Sequence, residues 1–322
     1  MPGKTKLINI KNLVRFLILA IIIYTVILFI GDYGQLSNQL QHLNLLIIPG
    51  IMFFAVIDDI FRFYKWDYFL KKLNIRVPFK TSFLIFFSGL AMSITPAKIG
   101  EVLKSYLLKK AQGVKMRKSI MVVIVERLTD VLGLAILALI GSFAFINNPY
   151  FIIIIISLIF SLIFAFIILT NKKIFIKSSK ILKKIPIVKN YVKYLDNIYK
   201  SSKKLITVKS LTFATLISTI SWFSECFAFY LLLLVLNSPI SIFAATFIFS
   251  FSSVFGSATF LPGGLGGAES SMIILLLLLG VVLPIASLAT VLIRIGTLFY
   301  GLAVGIIALT FTNKLLSKKP RN

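Results

Sequence analysis

Ionisable side chains are rare inside the apolar stretches of this chain, and where they occur they gather. Glu101, Glu126, Arg127 and Asp130 form one group; Glu225, Glu269 and Arg294 form another. A charge placed in hydrocarbon costs several kcal/mol unless it is paired or faces a wet cavity, so intramembrane charges point to ligands, protons or one another. Arginine forks suit phosphate, and carboxylates suit a cationic group or a proton. A polar chamber and a set of purely structural ion pairs both fit these residues. Glu126 and Asp130 lie four apart and share a helix face, with Arg127 offset from them. Covalent chemistry has little to work with. Cys226 and His42 are the single residues of their types, so there is neither a Cys/His metal cluster nor a nucleophile–histidine pair. No catalytic set and no cofactor is expected.

Two breaks in the apolar pattern must position these charges. The first is TPAKIGE (95–101), with Pro96, Lys98, Gly100 and Glu101; the second is LPGGLGGAE (261–269), with Pro262, Gly263, Gly264, Gly267 and Glu269. In each, proline ends one arm and glycine permits the chain to reverse. Irregular backbone at membrane depth is tolerated only when buried in protein or lining a wet cavity. The helix that follows each break starts with free amides and a positive dipole end, which attract anions. LPGGLGG is not a nucleotide-binding loop, because no Lys-Ser/Thr follows its last glycine. Lys98 is expected near the cytoplasmic face, as a head-group contact or as a plain topology charge.

The chain has 322 residues, 58% of them hydrophobic, with 35 Lys and Arg against 10 Asp and Glu. That balance is foreign to soluble domains, and runs such as Phe151 to Thr170 are long enough to cross a bilayer. An all-α polytopic membrane protein is predicted, with about six full spans near 14–31, 45–64, 119–145, 150–170, 210–236 and 286–312. Two broken or re-entrant hairpins are expected at 81–112 and 242–283. The net charge of +25 does not imply nucleic acid, since the cations alternate with apolar runs as topology determinants do. Lysines and arginines at the N-terminus, in 62–80, in 172–209 and in the tail place both termini in the cytoplasm. The basic region 172–209 reads as an interfacial helix or a solvated loop. Trp222 and the other interface aromatics read as ordinary packing.

An internal repeat links the breaks. DIFRFY from Asp59 and ECFAFY from Glu225 align with a shift of 166, which also carries Pro96 to Pro262; Glu101 aligns with Glu269 and Arg127 with Arg294 at nearly the same shift. The copies are expected in opposite orientation, a plan that puts a transport site between them near the midplane. The two arginines would lie about 13 Å deep from opposite faces. The predicted organisation is an N-terminal span and outer loop (1–44), a first repeat (45–145), a connecting span with a basic loop (146–209), a second repeat (210–312) and a basic tail (313–322).

The runs SITPAKIGEVLKSYLLKK (93–110), ERLTDVLG (126–133) and LPGGLGGAE (261–269) resemble the transmembrane domain of the lysylphosphatidylglycerol synthase/flippase proteins. The resemblance implies a flippase-like protein of the cell membrane that moves anionic or zwitterionic lipids, or a lipid-linked precursor, between leaflets. It does not carry over the synthase activity, which belongs to a soluble domain not seen in these residues. A secondary transporter of a small ion or solute fits the same charges. So does an accessory subunit beside a glycosyltransferase or lipid-modifying enzyme, and a homodimer is compatible with each.

Overall fold

The computed structural model describes residues 18, 21–27, 41, 44–145, 153, 156–157, 160 and 203–317. The expected spans at 14–31 and 150–170 and the basic stretch 172–202 lie largely or wholly outside these. The described residues are helical with no strand among them, as an apolar chain that must satisfy its own backbone requires. The protein is an all-α polytopic membrane protein.

Helix α1 spans Ile47–Lys72, followed by α2, Phe79–Leu90. A 3₁₀ turn at Pro96–Val102 runs into α3, Leu103–Gln112, and α4 follows as Met116–Gly141. The second half repeats this order. Its helices are α5, Val208–Val235, and α6, Ile242–Ala258. A short turn at Pro262–Gly264 leads to α7, Gly267–Leu278. Helix α8, Leu283–Arg294, then passes through a π-helical turn, Ile295–Phe299, into α9, Tyr300–Ser317. Among the described residues three helical stretches are long and apolar enough to cross a membrane: Met116–Phe145, Val208–Val235 and Leu283–Ser317. The 28 residues of α5 extend about 42 Å at 1.5 Å per residue, more than the hydrocarbon thickness.

The two halves pack by exchange. Helices α1 and α5 lie against each other at the centre; α2 of the first half packs on α9 of the second, and α6 of the second packs on α4 of the first. Small residues permit the approach. A Cβ on Gly141 would lie 2.5 Å from the Phe247 amide nitrogen, and one on Gly305 would overlap the backbone at Leu90 and Ala91. Ser88 Oγ and Thr312 Oγ1, 2.8 Å apart, tie α2 to α9. Each hairpin has its own apolar core, one around Trp66, Phe86 and Leu108, the other around Phe229, Phe247 and Leu276. The breaks themselves meet: a Cβ on Gly263 would lie 3.5 Å from the Ile94 side chain.

The repeat read from the sequence is visible in the backbone. The amide of Lys98 donates to Thr95 O at 2.9 Å and that of Gly264 donates to Leu261 O at 3.0 Å, the same turn 166 positions apart. Both residues occupy left-handed backbone, φ +54° at Lys98 and +70° at Gly264. Glycine adopts this freely, whereas lysine pays a conformational penalty.

One boundary differs from expectation. Helix α1 continues to Lys72, eight residues beyond the predicted end at 64. Arg62 and Lys65, counted among the loop cations, are therefore buried inside it. Their charges meet carboxylates from other helices, so they do not end the helix.

Candidate functional site

Seven of the eight Asp and Glu side chains among the described residues are buried: Asp58, Asp59, Glu101, Glu126, Asp130, Glu225 and Glu269. They fall into two arrangements.

The first is a closed network. Lys65 donates to the Asp130 carboxylate, to Ser218 Oγ at 2.6 Å and to Glu126 O at 3.4 Å. Lys104 lies 2.8 Å from Glu126 and 3.2 Å from Glu101. Arg127 lies 3.2 Å from Glu101 and 2.9 Å from Asp130, charge pairs out of line for hydrogen bonding, which leaves Arg127 Nε and Nη2 without hydrogen-bond partners. Arg62 pairs with Asp58 at 3.2 Å, whose carboxylate also accepts from Ser221 Oγ. Four cations thus face four carboxylates. Glu101, Glu126, Arg127 and Asp130 come together here, but none of them lines the cavity described next. Arg127, read from the sequence either as a ligand arginine or as half of a structural ion pair, has its charge met by Asp130 three residues on and by Glu101 across the break. Lys65 and Lys104 were not singled out, because their partners lie on other elements.

The second arrangement surrounds a small cavity lined by both charged and apolar groups, open to the surroundings, at the junction of the two breaks. Its wall takes Asp58, Asp59 and Arg62 from α1, Ser93 and Lys98 from the first break, and Trp222 and Glu225 from α5. Gly263, Gly264 and Arg294 close it from the second half, with Thr297 and Tyr300 around the π-turn. Such π-turns inside α-helices often mark functional sites. Arg294 is held by Glu269, Nε to Oε1 at 2.7 Å, and by Gly263 O, Nη2 at 2.5 Å. Tyr24 OH donates to the same Glu269 oxygen at 2.8 Å. The pair Glu269–Arg294 repeats Glu101–Arg127, as the sequence spacing suggested.

Lys98 and Arg62 converge on one aromatic face. The Lys98 ammonium stands 5.2 Å from the Trp222 ring centroid and the Arg62 guanidinium carbon 5.7 Å from it, both within cation–π range. Among the described residues no carboxylate lies within ion-pair distance of Lys98. Trp222 Nε1 and Ser93 Oγ are buried donors without partners. Buried polar groups are nearly always satisfied, so these two are poised for a ligand or water. Trp222 is therefore part of the site, against its reading as plain packing.

The helix starts do less than expected. Gly266 N, at the head of α7, donates to Glu269 Oε2 at 2.7 Å, and Gly100 N donates to Thr95 Oγ1 at 2.8 Å. Side chains therefore occupy amides that were expected to face an anion. Pro96 and Pro262, expected to end the preceding arms, stand at the first position of short 3₁₀ turns. Gly267 lies in the first turn of α7 against Thr259, outside the cavity wall.

A family model described as the lysylphosphatidylglycerol synthase TM region matches residues 15–305. The chain belongs to this family. A UPF0104 membrane protein of Methanocaldococcus jannaschii is 28% identical over 239 residues, covering 71% of this chain and 97% of that protein. A second UPF0104 membrane protein of the same organism is 25% identical over 278 residues, 79% of this chain and 81% of that one. A UPF0104 membrane protein of Methanothermobacter thermautotrophicus is 22% identical over 337 aligned positions, 96% and 98% of the two chains. The matched region of the lysylphosphatidylglycerol synthase TM family takes in both breaks and every cavity residue named above.

Proposed function

We propose that this protein moves a phosphate-bearing lipid head group between leaflets, through the cavity where the two breaks meet. The observation that carries this reading is Lys98: an ammonium without an ion-pair partner among the described residues, beside a second cation on the same indole ring, in a cavity supplied by both halves. Arg62 is already paired with Asp58, so Lys98 is the cation on this ring left to meet an anion that arrives. Ser93 and the indole N–H supply neutral donors to the phosphate oxygens, and the acyl or prenyl tails stay in the surrounding lipid. Movement of one half against the other then exposes the cavity to alternate sides. The reading requires no bond to be broken and no cofactor. It keeps both termini in the cytoplasm.

Mass spectrometry of lipids bound to the purified protein tests this. Phospholipid is expected at about one per chain with the wild type and is depleted with Lys98→Met. Equal lipid content in the two would refute the assignment, and a retained soluble solute in place of lipid would favour a small-solute carrier.

A further inference from the structure

Six interior cations, Arg62, Lys65, Lys98, Lys104, Arg127 and Arg294, face the seven buried carboxylates. Among the described residues the interior is therefore one negative charge in excess. Most carboxylates have donors: Asp58 has Arg62 and Ser221, Glu126 has Lys104, Asp130 has Lys65, and Glu269 has Arg294, Tyr24 and Gly266 N. Glu101 has Lys104 and Arg127 as charge partners. Asp59 and Glu225 have neither a hydrogen-bond donor nor an ion pair among the described residues. They are 4% and 8% exposed, occupy equivalent positions in the two repeats, and line the same cavity as Lys98. The charged or titratable groups that line the cavity with them are Asp58 and Arg62 on α1, Lys98 on the first break, Arg294 on α8 and Tyr300 on α9. Arg62 and Arg294 are already committed to other carboxylates.

We infer that Asp59 and Glu225 hold one proton between them and that binding of an anionic head group at Lys98 draws in a second, making the transport proton-coupled. The excess charge accounts for the first proton, because two buried carboxylates in one cavity with one free ammonium cannot both stay ionised without a large desolvation cost. A phosphate on Lys98 neutralises that ammonium and leaves the pair only Arg62 and Arg294 on the cavity wall, whose charges Asp58 and Glu269 already share. The carboxylate that was still ionised then gains a proton: its oxygen takes H⁺ from hydronium entering with water at the cavity mouth, one O–H bond forms, and water is left behind. Release of the anion reverses the step. Coupling of this kind is reciprocal, so protons strengthen anion binding to the same degree that the anion strengthens proton binding. The unpartnered Trp222 Nε1 and Ser93 Oγ, buried on the same wall, independently mark the cavity as built for a ligand. The inference rests on the head-group reading above and adds to it an energy source.

Calorimetry of the full chain in detergent tests it, with dioctanoyl phosphatidylglycerol as the probe. That phosphodiester does not titrate near neutral pH, so any proton taken up enters the protein. Titrations in two buffers of different ionisation heat should show about one proton absorbed per lipid bound. Affinity should fall about tenfold per pH unit as pH rises, the slope that one linked proton requires. In the Asp59→Asn/Glu225→Gln double variant the uptake should vanish and the pH dependence should flatten. Binding without proton uptake in the wild type, or unchanged uptake in the variant, would overturn the coupling and leave the head-group reading intact. Failure of the wild type to bind would refute the head-group reading and the coupling with it. The shared proton has its own readout: a carboxylic-acid C=O band in the infrared spectrum of the ligand-free protein that the double variant lacks. Its absence from the wild type would overturn that part.

Discussion

Replacing Lys65 by methionine tests whether the buried network is real. The side chain is fully buried, and its ammonium is shared by the Asp130 carboxylate, Ser218 Oγ and Glu126 O. Methionine keeps most of the volume and removes the charge. Breaking one partner from a buried pair costs about 3–5 kcal/mol, because the other charge stays behind. Arg127 at 2.9 Å and Arg62 at 3.9 Å remain near Asp130, which puts the loss at the lower end, about 3 kcal/mol. At about 1.4 kcal/mol per decade, the unfolding constant should rise by about two orders of magnitude. The internal control is Lys71→Met. Its partner Asp67 is 2.6 Å away, but the lysine side chain is 74% exposed, and exposed pairs contribute less than about 1 kcal/mol. Equilibrium unfolding in mixed micelles measures both, and adding Asp130→Asn to Lys65→Met should recover about half of the loss. If Lys65→Met unfolds like Lys71→Met, Lys65 is a solvated topology charge and the network is wrong.

Three further outcomes follow from the same contacts. Gly305→Leu and Gly141→Leu should each lower stability by about 1–3 kcal/mol or more by pushing a hairpin off the opposite half, and disulfide trapping between introduced cysteines at Ser88 and Thr312 should weaken in the first. Arg294→Ala leaves Glu269 buried without its cation, so it should be more damaging by thermal denaturation than Arg294→Ala combined with Glu269→Gln. Lys98→Gly should raise the thermal midpoint, since it relieves a left-handed lysine worth about 1–2 kcal/mol. It should abolish lipid retention, whereas Lys98→Met should abolish retention without the gain.

Some of this was legible in the chain. Proline and glycine punctuate the breaks, and rare charges in apolar surroundings made the repeat detectable, so the hairpins and the Glu269–Arg294 pairing follow from local spacing. Other features depend on residues far apart in sequence. The end of α1 is invisible to hydropathy because Arg62 and Lys65 look solvated until Asp130 and Ser218, from two other helices, are placed beside them. Arg127 and Arg294 are equivalent in sequence spacing, yet Arg294 lines the cavity and Arg127 does not. The difference comes from Asp130, which has no counterpart after Arg294. Lys98 reads from the sequence as a head-group contact or a plain topology charge, and nothing local decides between them, because its left-handed φ and a tryptophan more than a hundred positions away leave no signature.

The central claim is that an anionic head group occupies the junction of the two breaks and crosses the bilayer there. Purified protein in vesicles carrying a labelled phospholipid in the outer leaflet measures it. The account predicts that wild-type protein speeds label movement to the inner leaflet, and that Lys98→Met, at unchanged thermal midpoint, moves it at least tenfold more slowly. Equal rates for the two proteins, or no acceleration by the wild type over empty vesicles, would contradict it.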